Sequence, residues 1–204
     1  MRKTFSIALL SLATTAPAFA QSSDFSTWTG FGDVATSTSG ASLSTAALDS
    51  GETPLFGGDA LLYTVLEPAL GVFFPGDTYE GSAISTSFTA TAGSSFTLNW
   101  SFNTVLAAAF DASFADRVVV VIDGVQQVLA TATGTAQSGS FSHTFTSTGS
   151  HSLAFAVLDV GDTTEVSSLS LSGLAVTPAV PEPASIALML AGLGLVGAAA
   201  RRRG

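Results

Sequence analysis

Residues 96–102 read Phe-Thr-Leu-Asn-Trp-Ser-Phe, and residues 117–129 read Arg-Val-Val-Val-Val-Ile-Asp-Gly-Val-Gln-Gln-Val-Leu. In the first segment every second residue is large and apolar, which is the alternation of a strand with one buried face. In the second, an Asp-Gly dipeptide separates two β-prone runs and favours a type I′ turn. The two segments predict a half-buried strand and a β-hairpin, and the unbroken valines indicate a hairpin strand covered on both faces.

The alternating pattern continues toward the C-terminal end. Large residues alternate with polar ones over 141–145 and with alanine over 153–157, and a Thr-Gly-Ser turn at 148–150 separates these two runs. A last strand is predicted over 166–176. Many short strands without a long amphipathic helix are typical of an all-β fold. We therefore expect one antiparallel β-sandwich of jelly-roll type over residues 21–177.

The N-terminal third of this domain is less regular. Trp28 and Phe31 are expected to begin a strand, and residues 40–54 fit a loop or a weak strand. Residues 60–66 fit either a strand or a helix. The Glu-Pro pair at 67–68 is expected to end that element, because proline disfavours helix at the residue before it.

Length, charge and cysteine content narrow the class of protein. The chain has 204 residues, enough for one domain with a core. Between residues 21 and 180 the only basic side chain is Arg117, against 14 acidic ones, a net charge of −13. Such a surface repels phosphate backbones, which excludes nucleic-acid binding, and we expect Arg117 to pair with Asp116 or another surface acid. The sequence has no cysteine, which excludes disulfides and thiolate chemistry.

The first 20 residues have the order of a secretory signal peptide. Arg2 and Lys3 form a positive start, residues 5–13 are apolar, and Ala18 and Ala20 flank Phe19 in an A-x-A cleavage site. We therefore expect a signal helix over residues 1–20, removed by signal peptidase. The exported domain then begins at residue 21.

The C-terminal segment, residues 178–204, has a different character. Residues 184–200 form an apolar run of 17 residues, which as a helix is about 25 Å long, the short end of what spans a hydrocarbon core. Arg201, Arg202 and Arg203 follow at once, and positive flanks remain on the cytoplasmic side. The sequence thus predicts a minimal transmembrane helix over 184–200 that stops translocation and holds the protein in the inner membrane before processing.

The triplet Pro181-Glu182-Pro183, followed by a short apolar helix and a terminal arginine cluster, resembles the PEP-CTERM sorting signal of Gram-negative bacteria. The two prolines keep Glu182 in extended backbone that an enzyme can grip. The resemblance implies recognition by a membrane-embedded exosortase, removal of the tail near the triplet, and passage to the cell surface, the outer envelope or the medium.

A second resemblance covers residues 25–176. The stretches 66–71, 80–84, 91–102 and 157–162 are similar to a secreted β-sandwich domain common in proteins with such tails. Those domains carry an acidic residue soon after the position of Phe102 and an Asp-Asn pair in the last strand. Here Val105 follows Asn103 and Thr104, and a Ser-Gly pair stands at 172–173.

One loop has the composition of a calcium site. Asp159 and Asp162, with Glu165 nearby, offer the oxygen ligands that calcium prefers, and Asp111 and Asp116 join them if the sheets bring them close. The same Asp-x-Gly-Asp pattern is also ordinary turn chemistry. We keep both interpretations, and expect no other cofactor.

No catalytic residue is predicted. His143 and His151 flank a turn, but the sequence has neither a G-x-S-x-G nor an H-E-x-x-H motif, so we expect two partly exposed strand residues and no enzyme. Among the aromatic residues Trp100 lies in the buried phase of its strand, whereas Trp28 and Tyr79 remain open as sugar platforms.

Two functions are favoured after these exclusions. The first is a non-catalytic cell-surface or extracellular-matrix protein associated with exopolysaccharide or biofilm matrix. The alternative is a carbohydrate-binding module anchored at the cell surface. Hydrolysis is the weakest of the hypotheses, because scattered acids always supply some pair at a suitable separation.

Overall fold

The computed structural model describes residues 24–104, 115–179 and 183–202. The predicted signal peptide with Ala18 and Ala20 lies outside the described residues, as do Asp111, Pro181, Glu182 and Arg203. A short 3-10 helix, Phe25–Thr27, precedes the first strand. The strands are β1 (Thr29–Phe31), β2 (Asp33–Thr36), β3 (Gly40–Ser44), β4 (Leu61–Leu62), β5 (Thr78–Ala90), β6 (Ser95–Thr104), β7 (Arg117–Ile122), β8 (Val125–Thr131), β9 (Gln137–Thr144), β10 (Gly149–Val160) and β11 (Ser167–Thr177), and the α-helices are α1 (Tyr63–Leu70) and α2 (Pro183–Arg201).

The strands form two antiparallel sheets that pack face to face. The first sheet has the order β1-β5-β10-β7-β8, with β4 paired to β5, and the second has the order β2-β3-β11-β6-β9. The main core lies between them and includes Phe102, Phe155 and Leu169, all at most 1% exposed. The all-β antiparallel sandwich predicted from the alternating segments is therefore confirmed.

The hairpin predicted at residues 117–129 is present as β7 and β8. Asp123 and Gly124 occupy its turn with φ of 51° and 77°, the left-handed conformations that a type I′ turn needs. Val118 and Val120 pack into the core between the sheets, while Val119 and Val121 belong to a second apolar cluster on the other face. The prediction that this strand is covered on both faces is confirmed.

The second cluster is closed by α1 and the segment that follows it. Leu66, Val72 and Phe74 pack with Ala156 and Leu158 of the first sheet. The first sheet is therefore the middle layer of three, which explains why β10 is buried along nearly its whole second half.

The Glu-Pro pair does not end the helix as expected. Residues 61–62 are a strand, and α1 runs past Pro68 to Leu70, where Gly71 adopts the left-handed conformation with φ of 66°. Proline costs one helical hydrogen bond here, but Leu66 is fully buried against the sheet, and this packing outweighs the local preference.

The tail contains a helix, α2, whose described side chains are all exposed. Over the part of the chain that the structure describes, no helix has the length and apolar character needed to cross a membrane. The transmembrane helix predicted over residues 184–200 is therefore not supported.

Candidate functional site

Two aspartates from neighbouring strands meet at one end of the first sheet. Strands β7 and β10 are in register with Arg117 opposite Leu158, so the next pair along is Asp116 opposite Asp159. Asp159 is fully buried and Asp116 is 6% exposed. Of the calcium candidates named from the sequence, these are the two that the fold brings together.

The two carboxyl groups differ in their hydrogen bonds. Asp116 accepts from the Val160 N–H at 3.2 Å and from the Ser167 hydroxyl. Neither Oδ1 nor Oδ2 of Asp159 accepts a hydrogen bond from any donor in the described residues. Asp159 is therefore a buried carboxyl group without the donors that its charged form requires.

Burial and neighbouring acids disfavour the charged form of both groups. Burial, followed by repulsion from Asp116, Glu80, Asp162 and Glu52, raises the pKa of Asp159 to about 9. Burial also raises the pKa of Asp116 to about 6, against the effect of its hydrogen bonds. Both pKa shifts have the same direction, so a proton bound within the pair is favoured.

Asp162 lies outside this buried pair. Its Oδ1 accepts from the N–H and the hydroxyl of Thr164 at 3.0 and 3.2 Å, the turn chemistry that was the alternative interpretation. Glu80 is only 4% exposed and accepts from the Ser50 hydroxyl at 2.8 Å. Sequence reasoning did not place Glu80 in the site, because only strand pairing brings β5 beside β10.

Counting His, Cys, Asp and Glu side chains alone, no group of three or more within residues 24–104, 115–179 and 183–202 is placed to hold a metal ion. The basic residue beside the pair, Arg117, turns away from Asp116. Its guanidinium binds both carboxylate oxygens of Asp77, at 3.1 and 2.8 Å. Arg117 thus pairs with another surface acid, one of the two outcomes expected from the sequence.

A separate cleft of about 330 Å³ opens at the edges of the two sheets, near β8 and the end of β9. Its polar lining includes Asp123, Gln127, His143 and His151, and its apolar lining includes Val125. The volume falls at the lower end of the range found for small-molecule sites. Both histidines that the sequence placed around one turn therefore line the same cleft.

The two histidines differ in their environment. His151 is 7% exposed, with Nδ1 at 2.7 Å from Asp123 Oδ2 and Nε2 at 3.2 Å from the Ser147 carbonyl oxygen. The hydrogen bond to Asp123 raises the pKa of His151, whereas burial lowers the pKa of His143. The Phe145 ring lies between the two imidazoles, with ring centroids 4.8 Å from His143 and 4.6 Å from His151.

The aromatic residues named as sugar platforms divide into buried and exposed ones. Trp28 is 5% exposed and packs between Phe25 and Phe155, so it is a core residue. Trp100 is half-buried against the core and lies over Gly139, where a Cβ would come within 2.8 Å of the indole. Tyr79 is 46% exposed and stays available to a ligand.

A further buried acid, Asp33, was not singled out from the sequence. It is fully buried and accepts from the backbone N–H groups of Leu55, Phe56 and Gly58 at 2.7, 2.8 and 3.0 Å, and from the Ser44 hydroxyl. Asp33 therefore anchors an irregular loop to the second sheet. No local pattern marks this role, since the loop begins some twenty residues later in the chain.

The sorting segment is described only in part. Pro183 begins α2, and Arg201 and Arg202 are exposed at its end. Cleavage near Pro181 and Glu182 and the role of Arg203 as part of a stop signal remain predictions, because these residues lie outside the described ranges.

No curated protein matches the chain. Among solved structures, the chain is similar to TmCBM61 in complex with β-1,4-galactotriose, at 12% identity and a TM-score of 0.37 over 76% of this chain and 91% of that one. It is also similar to the N-terminal cellulose-binding domain of β-1,4-glucanase C from Cellulomonas fimi, at 14% identity and a TM-score of 0.36 over 76% and 90%. A structure titled CBM4 structure and function matches at 11% identity and a TM-score of 0.36 over 74% and 93%.

The comparison with protein families concerns the tail. Residues 179–203 match the model of the PEP-CTERM protein-sorting motif. The match includes the Pro-Glu-Pro triplet at 181–183 and the arginines at 201–203, the segments that predicted it. The chain therefore carries a PEP-CTERM protein-sorting motif.

Proposed function

We propose that this chain is exported, processed at its C-terminal motif by an exosortase, and delivered to the cell surface or extracellular matrix as a non-catalytic β-sandwich protein. The observation that carries the proposal is the match of residues 179–203 to the sorting motif. Association with exopolysaccharide or biofilm matrix is the setting that we infer for the mature domain. Signal peptidase and the exosortase are its expected processing partners.

The relation between tail and sandwich supports this proposal. Strand β11 ends at Thr177, six residues before α2 begins at Pro183, and the described side chains of α2 are exposed. Leu188 and Leu195, for example, are 77% and 74% exposed. Cleavage between β11 and α2 therefore removes no side chain of the described core.

The chemistry of the cleft supports a non-catalytic role. A general base needs a free nitrogen or oxygen directed at the substrate. Both nitrogens of His151 are engaged, by Asp123 and by the Ser147 carbonyl oxygen. Burial lowers the pKa of His143, so its imidazole is neutral. Among the described hydrogen bonds, none to an acidic side chain orients this ring.

The proposal is tested by the intact mass and terminal peptides of the native protein from its own cells, in membrane, surface and medium fractions. The wild-type protein is expected to begin at Gln21 and to end near residues 181–183. A variant with Glu182→Ala and Pro183→Ala is expected to keep its tail, which its higher intact mass would show.

The matched control is Pro178→Ala, which removes a proline from the same connecting segment but leaves the Pro-Glu-Pro triplet intact. Processing of this control is expected to equal that of the wild type. Wild-type protein that retains its tail through Arg203 in the surface fraction would show that the motif is not a processing signal here.

A second function, polysaccharide binding, is favoured by the cleft beside β8 and β9. Its volume of about 330 Å³ accommodates a small ligand, and Gln127 and His143 place hydrogen-bonding groups beside the exposed apolar face of Val125. Sugars are bound by this combination of polar groups and apolar surface. The charge of the domain favours neutral or cation-bearing polysaccharides over acidic ones.

Affinity electrophoresis against a panel of neutral and acidic polysaccharides tests this second function. If one is bound, Gln127→Ala and His143→Ala are each expected to weaken binding by about tenfold, the effect of a lost hydrogen bond of about 1.4 kcal/mol. Thr131→Ala, at the exposed end of β8 and outside the cleft lining, is the matched control. Retention of full affinity by both cleft variants would place any binding elsewhere.

A further inference from the structure

We propose that Asp159 and Asp116, which meet at one end of the first sheet where β7 pairs with β10, bind a divalent cation of the calcium type. This site is independent of the sorting motif and of the cleft. Three observations support this site: the burial of the two carboxyl groups, the absence of a donor to Asp159, and the lack of a basic side chain at the pair among the described residues.

Further buried oxygens without a partner lie on residues that pair with neighbours of the two aspartates. Asp159 is fully buried, and neither of its carboxyl oxygens accepts a hydrogen bond from a donor in the described residues. Thr78, directly opposite Val160 on β5, has a buried hydroxyl without a partner. Thr104 also has a buried hydroxyl without a partner. It lies opposite Ser167, whose hydroxyl donates a hydrogen bond to Asp116. Buried oxygens without donors carry a large free-energy cost unless a positive group satisfies them.

The chain supplies acids around the pair but no balancing charge. Glu80, Glu52 and Asp162 lie close enough to add to the repulsion felt by Asp159. Arg117, the adjacent residue to Asp116, is held by both oxygens of Asp77. Within the described part of the domain, the positive charge that would balance Asp159 as a carboxylate must therefore come from outside the chain.

The donor set selects the kind of ion. The described groups at the pair are carboxylate and hydroxyl oxygens, which hard cations prefer, whereas zinc and copper favour nitrogen and sulfur. Calcium accepts six to eight oxygens, so beside the two carboxylates the site would take hydroxyls, backbone carbonyls or water. Magnesium requires a tighter octahedron and releases its water reluctantly, so it is expected to bind more weakly.

The other charged groups that face the pair are Glu80, Glu52 and Asp162. Asp159→Asn imitates the protonated group, because its amide donates to Asp116 but carries no charge for a cation.

The test measures the melting temperature of the purified full-length protein in chelator and in calcium at pH 7.5, with native mass spectrometry to count bound ions. The wild-type protein is expected to gain one calcium ion and about 5–10 °C at a calcium concentration of about 100 times Kd. Asp159→Asn is expected to match or exceed the wild type in chelator and to show no gain in calcium.

A second variant and a control keep the result decisive. Asp116→Asn removes the other carboxylate and is expected to reduce calcium affinity at least about tenfold. The control is Asp24→Asn: residue 24 caps the short 3-10 helix, away from the pair, and asparagine can still cap it. This control is expected to respond to calcium like the wild type. A wild-type protein that binds no calcium at 10 mM calcium would show a proton-sharing pair only and overturn the proposal. A full calcium response in Asp159→Asn would overturn it as well, because the ion would then bind elsewhere.

Discussion

His151 lies with its Nδ1 atom 2.7 Å from Oδ2 of Asp123, the first residue of the hairpin turn between β7 and β8. The other ring nitrogen faces the Ser147 carbonyl oxygen. A carboxylate and a carbonyl oxygen only accept hydrogen bonds, so this environment favours the protonated ring, in which both nitrogens donate. This ion pair ties the hairpin turn to the beginning of β10.

The stability of the domain is expected to depend on the charge of His151. Its pKa is raised above the ordinary value of 6.5, so its contribution is complete below pH 6.5 and is lost as pH rises through the folded pKa. Urea unfolding between pH 5.5 and 8.5 is expected to show a smaller decline in His151→Gln than in the wild type.

His143→Gln is the control for this experiment. Burial lowers the pKa of His143, so in the wild type this residue costs stability as pH falls below 6.5. His143→Gln is expected to remove that acid-side loss, the opposite of the effect at His151. Identical pH profiles for the wild type and His151→Gln would contradict a stabilising ion pair between His151 and Asp123.

Asp33 is expected to be among the least replaceable polar residues of the described domain. Burial acts to raise its pKa, but hydrogen bonds from Ser44 and from the Leu55, Phe56 and Gly58 backbone together hold the pKa below its usual value. Asp33→Ala leaves three backbone donors without a partner and is expected to cost about 3–5 kcal/mol of unfolding free energy. Asp33→Asn retains one acceptor oxygen and is expected to cost less.

The pH dependence of Asp33 has the opposite sign from that of His151. Because the folded pKa is depressed, the contribution of Asp33 is present above pH 3.8 and is lost as pH falls through the folded pKa. Denaturant unfolding at pH 3 and pH 6 is expected to show a smaller acid loss in Asp33→Asn. An equal acid loss in both proteins would assign the acid sensitivity to other carboxylates.

The layer formed by α1 is expected to contribute strongly to stability. Leu66 is fully buried against the first sheet, so Leu66→Ala is expected to lower the unfolding free energy by about 2–5 kcal/mol. Val65, its neighbour on the same helix, is 49% exposed, and Val65→Ala is expected to change the free energy by about 0.5 kcal/mol or less. Equal effects of the two substitutions, measured by urea unfolding, would mean that α1 does not cover the sheet.

Removal of the tail is expected to leave the sandwich intact. A chain ending at Thr177 keeps β11 complete. It loses the connecting segment and α2, and the described side chains of α2 are exposed. Its melting temperature by circular dichroism is expected to equal that of the full chain. A fall of several degrees would show that the tail packs on the domain, and would weaken the case for its removal during sorting.

The sequence predicted those parts of the molecule that depend on local patterns. The alternation at residues 96–102 and the Asp-Gly turn at 123–124 indicated β6 and the β7–β8 hairpin, because side-chain period and turn conformation are properties of neighbouring residues. The sorting motif at 179–203 is likewise a contiguous signal. The path of α1 past Pro68 was missed, because its cause is burial of Leu66 against a sheet formed by distant residues.

The candidate sites were decided by tertiary structure. Asp159 was recognised as an acid in a calcium-like loop, but its pairing with Asp116 and the proximity of Glu80 follow from the order β5-β10-β7 in one sheet. Asp33 likewise gains its donors from a loop that only the fold brings over the second sheet. The sequence by itself determined the strands with a clear local pattern and the sorting tail. Joint burial of the whole core decided which strands became neighbours. No local pattern contains that information.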